Sequence, residues 1–237
     1  MRILLGHDSG SDVDDETLFA RYAPPAGPWV RLNMVSTLDG AAAGSDGRSG
    51  SINTPADHRG YAAQRHHADA VLVGAGTAQA EGYRPIDPET ALIIVSRRAT
   101  VPGSAAGDQG PVVLATCSAA GDEAIAAARQ RLGDDQVWIA GEDEVDLAAV
   151  IDRCHRTYGP HVLSEGGPAL AGSLLSAGLV DELALTFAPN LIAGDQPRII
   201  GGSGLEVSLA PFLLLEEDGT LLGLWRVERS ARATMGS

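Results

Sequence analysis

The chain has 237 residues, 44% of them hydrophobic, enough to build the core of one α/β domain or of two small ones. Its formal net charge of −14 argues against nucleic acid or an anionic membrane as partner, since both select a basic face. No apolar run approaches the roughly 18–20 residues that cross a bilayer. The opening six residues are too short for a secretory signal and lead into acidic ones, so the cytoplasm is the expected location.

Residues 1–28 read as a leading arm with one short helix over 16–22, stopped by Pro24, Pro25 and Pro28. One domain is expected over 29–237. Residues 29–37 alternate, with Val30, Leu32 and Met34 on one face and Arg31 and Asn33 on the other, which predicts a strand. A Gly/Ser-rich loop follows over 41–51. Helix is predicted over 55–68, with Thr54 as N-cap and Pro55 in the first turn.

Short apolar strands are expected over 70–74, 92–96, 111–115, 137–140, 161–164 and 183–188. Helical segments are expected after Thr77 and over 120–132, 146–158 and 168–177. The helix over 146–158 has the clearest amphipathic spacing, through Leu147, Val150, Ile151, Cys154 and Tyr158. Gly178 is placed to end the last helix in the left-handed region. A terminal hairpin, 212–217 and 221–229, turns at Asp218-Gly219. The fold class is therefore three-layer αβα: a mixed, mainly parallel sheet with a C-terminal antiparallel hairpin.

Two strands end in glycines and run into helices. One is Asp69-Ala-Val-Leu-Val-Gly-Ala-Gly-Thr77, where Gly74 and Gly76 let backbone approach a phosphate and helix-start N–H groups can hold it. Gln79 stands where a full dinucleotide fingerprint needs its third glycine. The other is Leu163-Ser-Glu-Gly-Gly-Pro-Ala-Leu170. There Gly166 and Gly167 leave room for a pyrophosphate, Pro168 suits the first helical position, and Glu165 lies at a strand's carboxyl end, where open α/β sheets bind ligands.

A third strand ends in Ser96, Arg97 and Arg98. A hydroxyl beside a guanidinium suits a phosphate monoester such as the 2′-phosphate of NADPH. Asp39 follows the first strand in an Asp-Gly turn. His66 and His67 are adjacent and point about 100° apart on a helix, and Cys117 and Cys154 form no Cys-x-x-Cys pair, so no metal site is expected.

Together, Ser36-Thr-Leu-Asp-Gly40, Asp69–Thr77, Ser164-Glu-Gly-Gly-Pro168 and Ala188-Pro-Asn-Leu-Ile192 resemble the reductase domain of riboflavin biosynthesis, the pyrimidine reductase family. The resemblance covers about residues 29–227. It implies a dihydrofolate-reductase-like fold, NADPH as cofactor and a homodimer. The implied reaction is hydride transfer to C1′ of the ribosylamino group of a pyrimidinedione 5′-phosphate, giving the ribitylamino product.

The resemblance places Gly74, Gly76, Thr77, Gly166, Gly167 and Pro168 against the cofactor, with Ser96 and Arg97 at its 2′-phosphate. Glu165 would border both ligands. Asn33, Ser36, Asp39, Asn53 and Arg65 would border the substrate. Asp39, Glu81 and Glu165 are the carboxyl groups available for the proton that the reduced imine must gain.

The family commonly has Trp-Ile-Thr where this chain has Ser51-Ile-Asn53. Glu81 and Arg84 stand near where it carries an acidic residue and an arginine. The zinc signature of the deaminase half, His-x-Glu with Pro-Cys-x-x-Cys, does not occur, so a stand-alone reductase is expected. Two other readings remain: a same-fold reductase for dihydrofolate or a pterin, and a nucleotide-binding protein without reductase activity.

Overall fold

The computed structural model describes residues 1–105 and 109–228. The central strands are the continuous apolar runs of the sequence. β3 (Ala70–Gly74), β4 (Ala91–Val95) and β5 (Val112–Thr116) are almost wholly buried, as strands covered on both faces must be. With β6 (Val137–Ile139), β7 (His161–Ser164), β2 (Trp29–Thr37) and β8 (Glu182–Ala188) they form the parallel part of a ten-stranded sheet. Beyond β8 lie β10 (Thr220–Val227), β9 (Leu209–Glu217) and β1 (Arg2–Leu5), all antiparallel. The order is β1-β9-β10-β8-β2-β7-β3-β4-β5-β6.

Alternation along the strands divides the core. Val30, Leu32, Met34, Leu72 and Ile93 point to one face, under α5 (Leu147–Thr157) and α6 (Pro168–Ser176). Val71, Val73, Leu92 and Ile94 point to the other, toward α3 (Ala75–Glu81) and α4 (Asp122–Leu132). On that second face α1 (Asp15–Arg21) and α2 (Pro55–His66) pack with the antiparallel strands through Leu18, Ala63, Leu215 and Leu222. The three-layer arrangement matches the expectation.

Local signals hold at several ends. Thr54 Oγ1 accepts from the Asp57 N–H at 3.1 Å, and Asp146 caps α5 through the Ala149 N–H at 3.0 Å. Gly178 ends α6 with φ +67°, and Asp218 and Gly219 turn the hairpin with φ of +50° and +80°. The hairpin's predicted last residue, Arg229, lies outside the described residues.

Three differences have local causes. Residues 1–28, read as an arm with one helix, also supply edge strand β1, whose Ile3 pairs with Leu215 and is buried while Leu4 and Leu5 stay exposed. Four residues with one buried side chain are too few for a visible period. The helix expected from residue 120 starts at Asp122, because Gly121 at φ +87° separates it from a 3₁₀ turn. Helix α3 begins two residues before Thr77. No described helix is long and apolar enough to cross a membrane.

Candidate active site

The carboxyl ends of β3, β4 and β7 open onto one surface, where two recesses meet. A groove of about 1160 Å³ is lined by Gly74, Gly76, Ser96, Arg97, Arg98 and Gly201–Ser203, among others. A smaller cleft of about 230 Å³ is lined by Asn33, Asn53, Asp57, Tyr61, Glu81 and Glu165, with Thr77, Gly167 and Pro168 on its wall. Gly76 lines both. The topology therefore supplies a long channel and a side compartment joined at one glycine.

Glycines shape that junction. A Cβ on Gly167 would overlap Thr77 Oγ1, the atom that accepts the Gly167 N–H at 3.0 Å. Gly166 has φ +75°, and its carbonyl accepts the Gly74 N–H at 2.8 Å. These contacts lock the β7–α6 turn onto the β3–α3 turn. A Cβ on Gly76 would meet nothing within 4 Å and would stand in the open groove. The first turn of α6 has no side-chain cap and Ala169 and Leu170 line the groove, an arrangement suited to a pyrophosphate. Ser96 is buried, and its Oγ accepts the Thr100 N–H at 2.9 Å. Arg97 is exposed and paired with Glu144 at 2.5 Å, a surface pair that a phosphate monoester can displace. These residues fit a phosphorylated dinucleotide.

Glu165 is the hub of the cleft. Its side chain is 2% exposed and accepts from Arg65 Nε at 2.8 Å and Nη2 at 2.7 Å, a bidentate pair. The Tyr61 hydroxyl donates to it at 3.0 Å, and the Tyr83 side chain also hydrogen-bonds to it. Arg65 stacks 4.4 Å from the Tyr61 ring centroid. Burial works against the Arg65 charge, but hydrogen bonding and attraction from Glu165 outweigh it and raise its pKa. Burial, then the Glu165 charge, pushes both tyrosines well above the ordinary phenol range, so both remain neutral donors.

The other predicted residues divide. Asn33 lines the cleft and its Oδ1 accepts from Gln64 Nε2 at 2.9 Å. Glu81, the last residue of α3, accepts the Ser49 N–H at 2.8 Å and Ser49 Oγ at 3.0 Å, tying the 49–51 turn to the cleft rim. Asn53 also lines the cleft.

Three residues expected on the substrate side lie off the cleft lining. Ser36 is buried below the rim, donating to the Thr37 carbonyl. Asp39 is exposed outside the cleft, where it accepts from Thr37 Oγ1 at 2.5 Å and from the Ile192 N–H; these contacts hold its pKa below the ordinary carboxylate range. Arg65 sits behind Glu165 rather than on the cleft lining. For Asp39 and Arg65 a neighbour distant in sequence, Ile192 and Glu165 respectively, claims the polar atoms. Arg84 is exposed, while the adjacent Tyr83 turns inward.

The sequence reading missed Asp57, Tyr61 and Tyr83 in the cleft and Gly201–Ser203 in the groove, whereas Arg98, singled out beside Ser96 and Arg97, lines the groove with them. A signal existed for α2: Asp57, Tyr61 and Arg65 recur at intervals of four and share one helix face. Asp57 was masked by its position, since an acid in a helix's first turn has an ordinary local explanation.

The sheet order, the two recesses and the glycine turns define a dihydrofolate-reductase-like α/β protein. Residues 28–221 match the RibD C-terminal domain family, and the chain belongs to that family. The 2,5-diamino-6-ribosylamino-4(3H)-pyrimidinone 5′-phosphate reductase of Methanothermobacter thermautotrophicus is 32% identical over 190 residues, covering 76% of this chain and 86% of that protein. The crystal structure of a pyrimidine reductase-like protein from Corynebacterium diphtheriae has a TM-score of 0.77 at 26% identity, covering 86% of this chain and 93% of that one. Dihydrofolate reductase from Enterococcus faecalis, complexed with NADP(H), has a TM-score of 0.50 at 14% identity, covering 85% and 97%, a likeness of fold.

Proposed function

We propose that this protein is an NADPH-dependent reductase of riboflavin biosynthesis. Its substrate is a phosphorylated ribosylaminopyrimidine, either the pyrimidinedione or its 2-amino counterpart, and its product carries a ribityl chain. The observation that carries this reading is the meeting of groove and cleft at Gly76 in a chain of this family. When bound, the cofactor supplies a hydride to C1′ of the open-chain imine. The protein's work is placement. Gly74, Gly76, Thr77, Gly167 and Pro168 form the bed of the dinucleotide, and Ser96 and Arg97 take its 2′-phosphate. Asn33, Asn53 and Glu81 face the substrate, and the Glu165 hub holds the wall between the two ligands.

The test follows NADPH oxidation with the phosphorylated substrate and a substrate-free control. Substrate-dependent oxidation with a ribityl product supports the reading; NADPH binding without oxidation of either pyrimidine sinks it. The reading also makes the protein a cytoplasmic homodimer, a state that sedimentation analysis measures.

Two variants test the cofactor assignment by binding alone. Arg97→Ala should weaken NADPH about tenfold or more while barely changing NADH, because a charge-assisted phosphate contact is lost. Equal weakening of both would exclude the assignment. Gly76→Ala should leave thermal stability unchanged or slightly raised, since alanine suits a helix, yet weaken NADPH by about tenfold through crowding. Unchanged affinity would move the dinucleotide elsewhere.

A further inference from the structure

A buried amide on α2 links the cleft to the amino-terminal ends of the central strands. Gln64 is 4% exposed, and its Nε2 donates to Asn33 Oδ1 at 2.9 Å. Its other polar atom, Oε1, is buried without a partner among the described residues, and so is the indole Nε1 of Trp29. Both side chains line a recess of about 10 Å³ beside the first residues of β2 and β7, the room that one water needs. The other polar side chains on that recess have partners: Arg31 Nε donates to Glu182 at 2.6 Å, and His67 and His161 meet the carbonyls of Phe19 and Pro25. One water there would accept the Trp29 N–H and donate to Gln64 Oε1, satisfying a donor and an acceptor that burial otherwise penalises.

An amide has a donor end and an acceptor end. With Oδ1 held by Gln64, Asn33 turns its NH₂ to the cleft. Donors are scarce there. The hydroxyls of Tyr61 and Tyr83 are committed to Glu165 and that of Ser49 to Glu81, while the Oδ1 of Asn53 is a further acceptor. We propose that Gln64 is a positioning residue: it fixes the Asn33 amide so that its NH₂ donates to a carbonyl or hydroxyl oxygen of the bound substrate. The inference rests on the reductase reading for the substrate and adds to it the residue that orients a binding group. Without Gln64 nothing selects which end of Asn33 faces the cleft, and the turned amide would set two acceptors against each other.

The first measurement needs no substrate. Hydrogen exchange of the two side-chain amides, followed by NMR, should show the Gln64 NH₂ protected and the Asn33 NH₂ exchanging readily. The reverse order overturns the inference, because Asn33 would then be the donor within the pair. The second measurement is steady-state NADPH oxidation with the phosphoribosylaminopyrimidines. Gln64→Met keeps the length of the side chain and removes both polar ends. It should raise KM for the pyrimidine about tenfold, the worth of one hydrogen bond, and leave kcat and NADPH affinity within about twofold. In an Asn33→Ala background the same change should move KM by less than about twofold, since the group that Gln64 orients is gone. Equal loss in both backgrounds, or a matching loss of NADPH affinity, makes Gln64 a support of the fold and overturns the inference. The expected exchange order in a protein that reduces neither pyrimidine upholds Gln64 as the residue that orients Asn33 and overturns the reductase reading instead. Should Gln64→Met fail to fold, the exchange order in the unaltered protein decides.

Discussion

Arg65→Ala should lower the stability of the fold by about 3 kcal/mol, near the low end of what removal of one partner from a buried ion pair costs. The low end applies because Tyr61 and Tyr83 continue to hydrogen-bond to Glu165. The Glu165 side chain is 2% exposed and would lose two short hydrogen bonds and its only arginine partner among the described ion pairs. In a domain of this size that loss lowers Tm by roughly 6–12 °C, and urea unfolding measures it directly. Arg65→Lys should recover only part of the loss, since an ammonium cannot make the bidentate contact. Adding Glu165→Gln to Arg65→Ala should restore stability relative to Arg65→Ala alone, because no unpaired charge is left behind. A loss below about 1 kcal/mol for Arg65→Ala would mean that the pair behaves as a solvated surface contact. Catalysis should fall with stability, as Tyr61 and Glu165 both line the cleft.

The second large effect is expected at Gly172. It lies inside α6, where the added Cβ of alanine would overlap the backbone carbonyl oxygen of Gly201. Backbone cannot rotate away as a side chain tip does, so the 201–203 turn must shift. That turn is fixed by the Gly201 N–H donating to the Pro168 carbonyl at 2.9 Å. Overpacking of this kind costs about 1–3 kcal/mol, which exceeds the benefit of alanine over glycine in a helix. Gly201, Gly202 and Ser203 line the groove, so Gly172→Ala should weaken NADPH as well as stability. Gly76→Ala is its counterpart, with the same affinity loss and no stability loss. Determining Tm and NADPH affinity for both variants separates crowding of the fold from crowding of the groove. A Gly172→Ala protein as stable as the parent would show that the helix and the turn are not in contact in solution.

Much of this protein is determined locally. The apolar runs that become β3, β4 and β5, the Thr54-Pro55 start of α2, the Gly178 end of α6 and the Asp218-Gly219 turn all follow from residues within a few positions of one another. The glycine turns after β3 and β7 belong to this class, because a strand meeting glycines and a helix start has few other conformations. Tertiary structure decided which polar side chains face the cleft. Asp39 is drawn away by the Ile192 N–H, 153 residues further on. Arg65 is turned inward by Glu165, 100 residues away. Asp57 reaches the cleft because α2 packs beside β8 and Thr186. Edge strand β1 likewise exists only because β9 offers it a partner. Backbone preference is set by neighbours in sequence, whereas the destination of a side-chain hydrogen bond is set by neighbours in space, and those are fixed only when the sheet closes its order.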